Sequence, residues 1–193
     1  MKDRIKALVI FWLVSVSGAA HSSNDLLFDG GVEALIATKD SFIIKVSDQV
    51  TGGCLPNPNA LKDKMEASLR RDGFSITSEE SFFNNVILIT AVGYPMNDIS
   101  CAVSLDVVMA FSITVNVPFA YESYGDGQTM TNYLYPIHRG VLTGPKRKIQ
   151  DSLEDSVTES AEKLFLEISR ARDRIFNDYP AIKKKMIEVR SAN

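Results

Sequence analysis

The chain has 193 residues, 45% of them hydrophobic and 23% charged, with a formal net charge of −3. A chain of this size can bury a core of its own as one domain. Its acidic surplus argues against nucleic acid as the general partner.

Lys2, Arg4 and Lys6 precede the apolar run Ala7–Val16, and Ser17, Gly18, Ala19 and Ala20 are small. This layout reads as a secretory signal peptide over residues 1–20, too short for a transmembrane helix, followed by a single secreted domain over 21–193. Removing the leader takes away three basic side chains and one acidic one, so the net charge becomes −5. No cysteine follows the small residues, which argues against lipid anchoring, and no later stretch is apolar enough to span a bilayer. Cys54 and Cys101 are the two cysteines, and in a secreted chain they are expected to form one disulfide. The lysine-bearing leader and the lack of any N-x-[ST] sequon point to the periplasm.

Val32 to Lys39 has room for one or two helical turns after Asp29-Gly30-Gly31. Phe42 to Val50 alternates as a strand, with Phe42, Ile44 and Val46 on one face, and Gly52-Gly53 ends it. Asn57-Pro58 opens a helix as N-cap and first helical residue. Leu61, Met65, Ser68 and Leu69 form its apolar stripe, and Asp72-Gly73-Phe74 is a Schellman ending. A short strand at Phe74–Thr77 and a loop at Ser78–Ser81 follow. Asn85–Gly93 carries apolar residues on both faces, which predicts a central strand covered on both sides.

Cys101 to Val117 is the most regular stretch. Its odd positions are all apolar and its even positions mostly small or polar, the period of a half-buried strand. A strand of that length must twist, bulge or bend. Met130–Leu142 returns as its hairpin partner. A three-residue loop, Gly125-Asp126-Gly127, would pair Val115 with Ile137, Val117 with Tyr135 and Phe119 with Tyr133, matching apolar to apolar. After Gly144-Pro145, the stripe Ile149, Leu153, Val157, Ala161, Leu164, Ile168, Ala171 and Ile175 marks a long amphipathic helix, broken at Asn177–Pro180. Pro180–Arg190 has the composition of a short basic helix. The fold class expected is α+β: a mainly antiparallel sheet of about five strands with a long hairpin, and two main helices packed on one face in two layers.

No stretch carries a catalytic, metal or cofactor motif. Gly52-Gly53 and Gly125-Asp126-Gly127 lack phosphate-loop spacing. His138, the histidine of the secreted domain away from the cleavage site, has no nucleophile motif beside it and reads as an edge-strand side chain. Asp106 could form a carboxylate pair with Glu79 or Glu80, but spacing does not require it. Lys146-Arg147-Lys148 and Lys183-Lys184-Lys185 are basic clusters that could meet anionic lipid or an acidic partner, and helix-end clusters are commonly just solvated. Tyr133 and Tyr135 read as core beneath the long helix. Phe119, Tyr121 and Tyr124 crowd the hairpin tip, where exposed tyrosines suit partner contact. The function expected is therefore that of a non-enzymatic secreted protein, periplasmic, binding another envelope macromolecule. A small-ligand domain with a pocket between sheet and helix is the alternative, and a hydrolase the third reading.

Overall fold

The structure is a computed structural model and describes residues 31–79, 84–116, 128–181 and 183–184. In chain order it contains α1 (Gly31–Ala37), β1 (Ser41–Val50), α2 (Pro58–Arg71), β2 (Ser75–Ile76), β3 (Val86–Pro95), β4 (Ser100–Asn116), β5 (Gln128–Pro145) and α3 (Lys146–Asp178). The strands make one sheet in the order β2-β1-β3-β4-β5. The helices lie on one face, so the domain is the α+β two-layer structure that the apolar periodicities predict. Helical geometry resumes at Pro180 and Ala181 beyond the break at Tyr179.

The sheet is mixed. β4 pairs antiparallel with β5 along its whole length and with β3 over Cys101–Ala110, while β1 runs parallel to both β2 and β3. Parallel neighbours need a long crossover, and α2 supplies it between β1 and β2. The two ends of α2 differ in how they match expectation. Its C-terminus is the Schellman motif: the Phe74 N–H donates to Leu69 O at 3.0 Å, the Gly73 N–H donates to Arg70 O at 3.1 Å, and Gly73 has φ +87°. At its N-terminus the Asn57 side chain makes no capping hydrogen bond. The Gln150 side chain on α3 instead brackets the Asn57 backbone, accepting from its N–H at 3.3 Å and donating to its C=O at 3.1 Å. A tertiary clamp has replaced the local cap, because α3 places an amide with both a donor and an acceptor beside it.

The apolar stripes meet between the layers. Every residue of the predicted α3 stripe is buried, as are Leu61, Met65, Ser68 and Leu69 of α2. Opposite them lie Phe42, Ile44, Ile87, Ile89 and the odd residues of β4 from Cys101 to Phe111. The Phe74 ring stands edge-on to Phe42, with centroids 5.2 Å apart. Cys54 and Cys101 are disulfide-bonded, with Cα atoms 5.9 Å apart, which ties the start of α2 to the start of β4.

Two expectations are corrected. The hairpin register differs from the tight-turn prediction: Val115 pairs with Thr129, Met109 with Tyr135 and Phe111 with Tyr133, and the last described pair is Asn116 with Gln128. The displacement is an even number of residues and preserves the pleat, so Phe111 and Met109 still face Tyr133 and Tyr135, while Val115 and Ile113 now face Thr129 and Thr131. A bulge then changes the parity. Val108 pairs with Pro136 and Val107 with His138, leaving Ile137 as the extra residue. Pro136 is tolerated because β5 is an edge strand and its missing N–H interrupts no central ladder. The second correction concerns β3. It is central in the sheet, yet among the described residues helices cover its Ile87, Ile89 and Ala91 face alone, and Leu88 and Val92 are exposed on the other.

Candidate interaction surface

The bulge at Ile137 positions a polar cluster on the helix side of β5. The freed Ile137 carbonyl accepts from Lys163 Nζ at 2.7 Å. The Tyr135 hydroxyl donates to Glu167 Oε2 at 2.5 Å, and Lys163 and Glu167 form an ion pair one helical turn apart. Tyr133 and Tyr135 are half-buried against the core, as expected beneath the long helix. His138 follows the bulge and is paired across the ladder from the fully buried Val107, so its imidazole lies on the helix side. Nε2 is buried without a hydrogen-bond partner among the described residues, and a Cβ added at Gly140 would lie 3.1 Å from it.

Asp106 is on the other face. It pairs across the strands with Arg139, whose guanidinium donates to Asp106 Oδ2 at 3.1 Å. The sheet therefore separates His138 from Asp106. Glu79 follows β2 at the opposite edge of the sheet, three strands from β4, so it makes no carboxylate pair with Asp106. Glu80 lies outside the described residues, as do Phe119, Tyr121 and Tyr124 of the hairpin connection and Lys185 of the second basic cluster. Among the described residues no group of His, Cys, Asp and Glu could hold a metal ion, and no helix is long and apolar enough to cross a membrane.

A ligand pocket between sheet and helices would need empty space there. Leu61, Met65, Leu105, Val107, Leu153, Val157 and Leu164 fill that interface with no exposure at all. The described cavities lie at the surface instead. A groove of about 350 Å3 runs between α2 and the β1 edge, beside Lys62, Glu66 and Arg70. A shallower one of about 1000 Å3 lies at the disulfide end.

The outer face of the sheet has no helix over it among the described residues. Register sets its side chains in rows. Val86, Ala110 and Leu134 form one row, and Leu88, Val108 and Pro136 the next. Thr90, Asp106 and Arg139 form a polar row, and Val92, Ser104 and Val141 follow it. Leu134 and Val141 are 65% and 69% exposed, and Val92 is 45% exposed. Contiguous exposed apolar rows of this kind are uncommon on soluble monomers and accompany interaction sites. Sequence reasoning missed this face because two apolar sides on β3 look like two covered sides. The small and polar even positions of β4, lying next to it, were the available signal that one side is a mixed surface.

No family model and no curated protein matches this chain. Among solved structures, it is similar to a crystal structure of a minor lipoprotein from Acinetobacter baumannii. The identity is 10% and the TM-score 0.35, over 69% of this chain and 92% of that one. A likeness at that level carries no inference about role.

Proposed function

We propose that the protein is a non-enzymatic binding domain of the cell envelope that engages another envelope protein through the uncovered face of its sheet. The observation that carries this reading is the set of exposed rows around Leu88, Val92, Leu134 and Val141, broken by a single ion-paired row. Exposed apolar side chains set among polar ones, with Lys45 beside Leu88 and Gln49 and Ser104 in the Val92 row, resemble a non-obligate protein interface, apolar at its centre and polar around it. The buried disulfide supports an oxidising, extracytoplasmic compartment, in agreement with the leader-like N-terminus. Phe119, Tyr121 and Tyr124 belong to the same proposal as a second contact point on the hairpin.

A photo-crosslinking amino acid placed at Leu134, Val92 or Tyr121 in the exported protein tests it. Leu134 and Val92 should give a discrete adduct in the envelope fraction, and Leu134→Lys should abolish the adduct at Val92 without changing the melting temperature. Adducts formed from neither position, or an adduct at Val92 untouched by Leu134→Lys, would remove the outer face from the proposal. Tyr121 reports separately on the hairpin.

A further inference from the structure

The disulfide end of the domain brings together three segments that are far apart in sequence. The β3–β4 turn is held by the Met96 N–H donating to Ser100 O at 2.9 Å and the Ile99 N–H donating to Asn97 Oδ1 at 3.0 Å. The first residue of α3 is pinned to this turn, since the Lys146 N–H donates to Ile99 O at 2.8 Å. The loop after β1 joins them through the Cys54–Cys101 bridge, and the Lys146 stem crosses Gly53, where an added Cβ would lie 3.3 Å from Lys146 Cε. A Cβ at Gly52, whose φ is +65°, would lie 2.6 Å from Pro95 Cγ. This end is thus close-packed backbone on a covalent tie.

On that fixed base the apolar side chains point to water. Ile99 is 77% exposed, Met96 51% and Tyr94 63%. Ile99 and Met96 border the 1000 Å3 groove with Pro56 and Pro145, and Lys146 and Arg147 line it on the α3 side. Asp98 is the acid in its lining. Lys148 extends the cationic run into the first turn of α3, which contains no acidic residue. Cations at a helix N-terminus oppose the helix dipole, so local helix stability gives no reason for three of them there. Among the described residues none of the three has an ion-pair partner.

We propose that this end of the domain docks on an anionic lipid surface, with Ile99 and Met96 entering the headgroup region and Lys146 and Arg147 meeting the phosphates. Exposed apolar groups flanked by Lys and Arg are the combination that holds proteins in the membrane interface, apolar burial and electrostatic attraction acting together. Without the leader the protein is acidic, with a net charge of −5, so an anionic surface repels the rest of the molecule and orients this end toward it. The lipid surface fits better than an acidic peptide, because Ile99 and Met96 are 77% and 51% exposed beside the cations, and an acidic chain would pair the charges without burying these apolar groups.

The test is co-sedimentation of the exported protein with vesicles of phosphatidylethanolamine and phosphatidylglycerol, or of phosphatidylcholine alone. Binding should require phosphatidylglycerol and weaken with salt. At about fivefold in partitioning per cation, Lys146→Glu with Arg147→Glu should reduce binding about 30-fold or more. The chain's one tryptophan, Trp12, lies in the leader, so Ile99→Trp places a lone reporter on the turn of the exported protein. Its emission should shift to the blue with anionic vesicles. Equal binding to phosphatidylcholine, full binding by the double Glu variant, or unshifted Trp emission would each overturn the proposal. Displacement from vesicles by soluble polyglutamate with no emission shift would assign the groove to an acidic protein instead. These outcomes are independent of crosslinking at Leu134 and Val92, which lie on the sheet face.

Discussion

Arg172 shows how much one side chain of a long helix can hold. Its guanidinium donates to Ala37 O at 2.8 Å and to Lys39 O at 2.7 Å, pairs with Asp40, and lies over the Phe74 ring at 5.8 Å. It thereby satisfies carbonyls at the α1–β1 junction that the end of α1 leaves without intrahelical partners. Arg172→Ala should cost about 2 kcal/mol in urea denaturation, since charge-assisted bonds to two part-buried carbonyls are lost together. Arg172→Lys should recover little of it, because an ammonium cannot reproduce the fork. Lys39, in the same junction, has its ammonium 4.2 Å from the Phe111 ring centroid, and burial pushes its pKa below the ordinary value of 10.5. Between the folded pKa and 10.5 the unfolded chain therefore binds more protons, and stability rises with pH across that window. Below it the full cost of the buried charge is present. The stability of the wild type relative to Lys39→Met, measured by urea denaturation from about pH 8 to about pH 10, should increase. A decrease would mean that the folded state favours the charged lysine.

At the scale of elements, the β3–β4 ladder leaves no room for a side chain at Gly93. A Cβ at Gly93 would lie 2.6 Å from the Ala102 carbonyl oxygen and 2.8 Å from Val103 Cγ2, both fixed in the adjacent strand. Gly93→Ala should therefore destabilise the domain by about 2 kcal/mol or more, from forced displacement of backbone. Gly144→Ala is its control: nothing lies within 4 Å of that Cβ and the backbone φ is not positive, so the change should be near neutral. Thermal melts of the two variants side by side make the comparison. Leu105→Ala in β4 and Leu164→Ala in α3, both without exposure, should each cost about 2–5 kcal/mol through the cavity left behind.

For the molecule as a whole, the disulfide closes a separation of 47 residues that contains α2, β2 and β3. Restricting a loop of that length in the unfolded chain is worth about 4 kcal/mol in the chain-entropy account. Reduction under native conditions should be slow, because both cysteines have no exposure. Cys54→Ala with Cys101→Ala should lower the melting temperature by roughly ten degrees or more, as expected for a loss of that size in a domain of this length. Full thiol labelling of the protein, purified without reductant and unfolded in denaturant, would show that the bond is absent.

What the amino-acid sequence determined by itself is the part of the structure governed by local period and local conformational cost. The α3 stripe from Ile149 to Ile175, the odd face of β4 and the Gly73 ending of α2 were all legible, because a helix repeats at 3.6 residues, a strand at two, and a left-handed residue favours glycine. The pairing of the two cysteines was legible from their number. What tertiary structure alone decided is whatever depends on a distant neighbour. Only α3 could supply Gln150 in place of the Asn57 cap, and only the bulge at Ile137 could turn His138 under the helix, away from Asp106. The open side of β3 has the same origin. An apolar residue lowers the free energy wherever it is buried, but whether Leu88 and Val92 meet a helix, a partner or water depends on how many layers the chain builds, and no local pattern encodes that number.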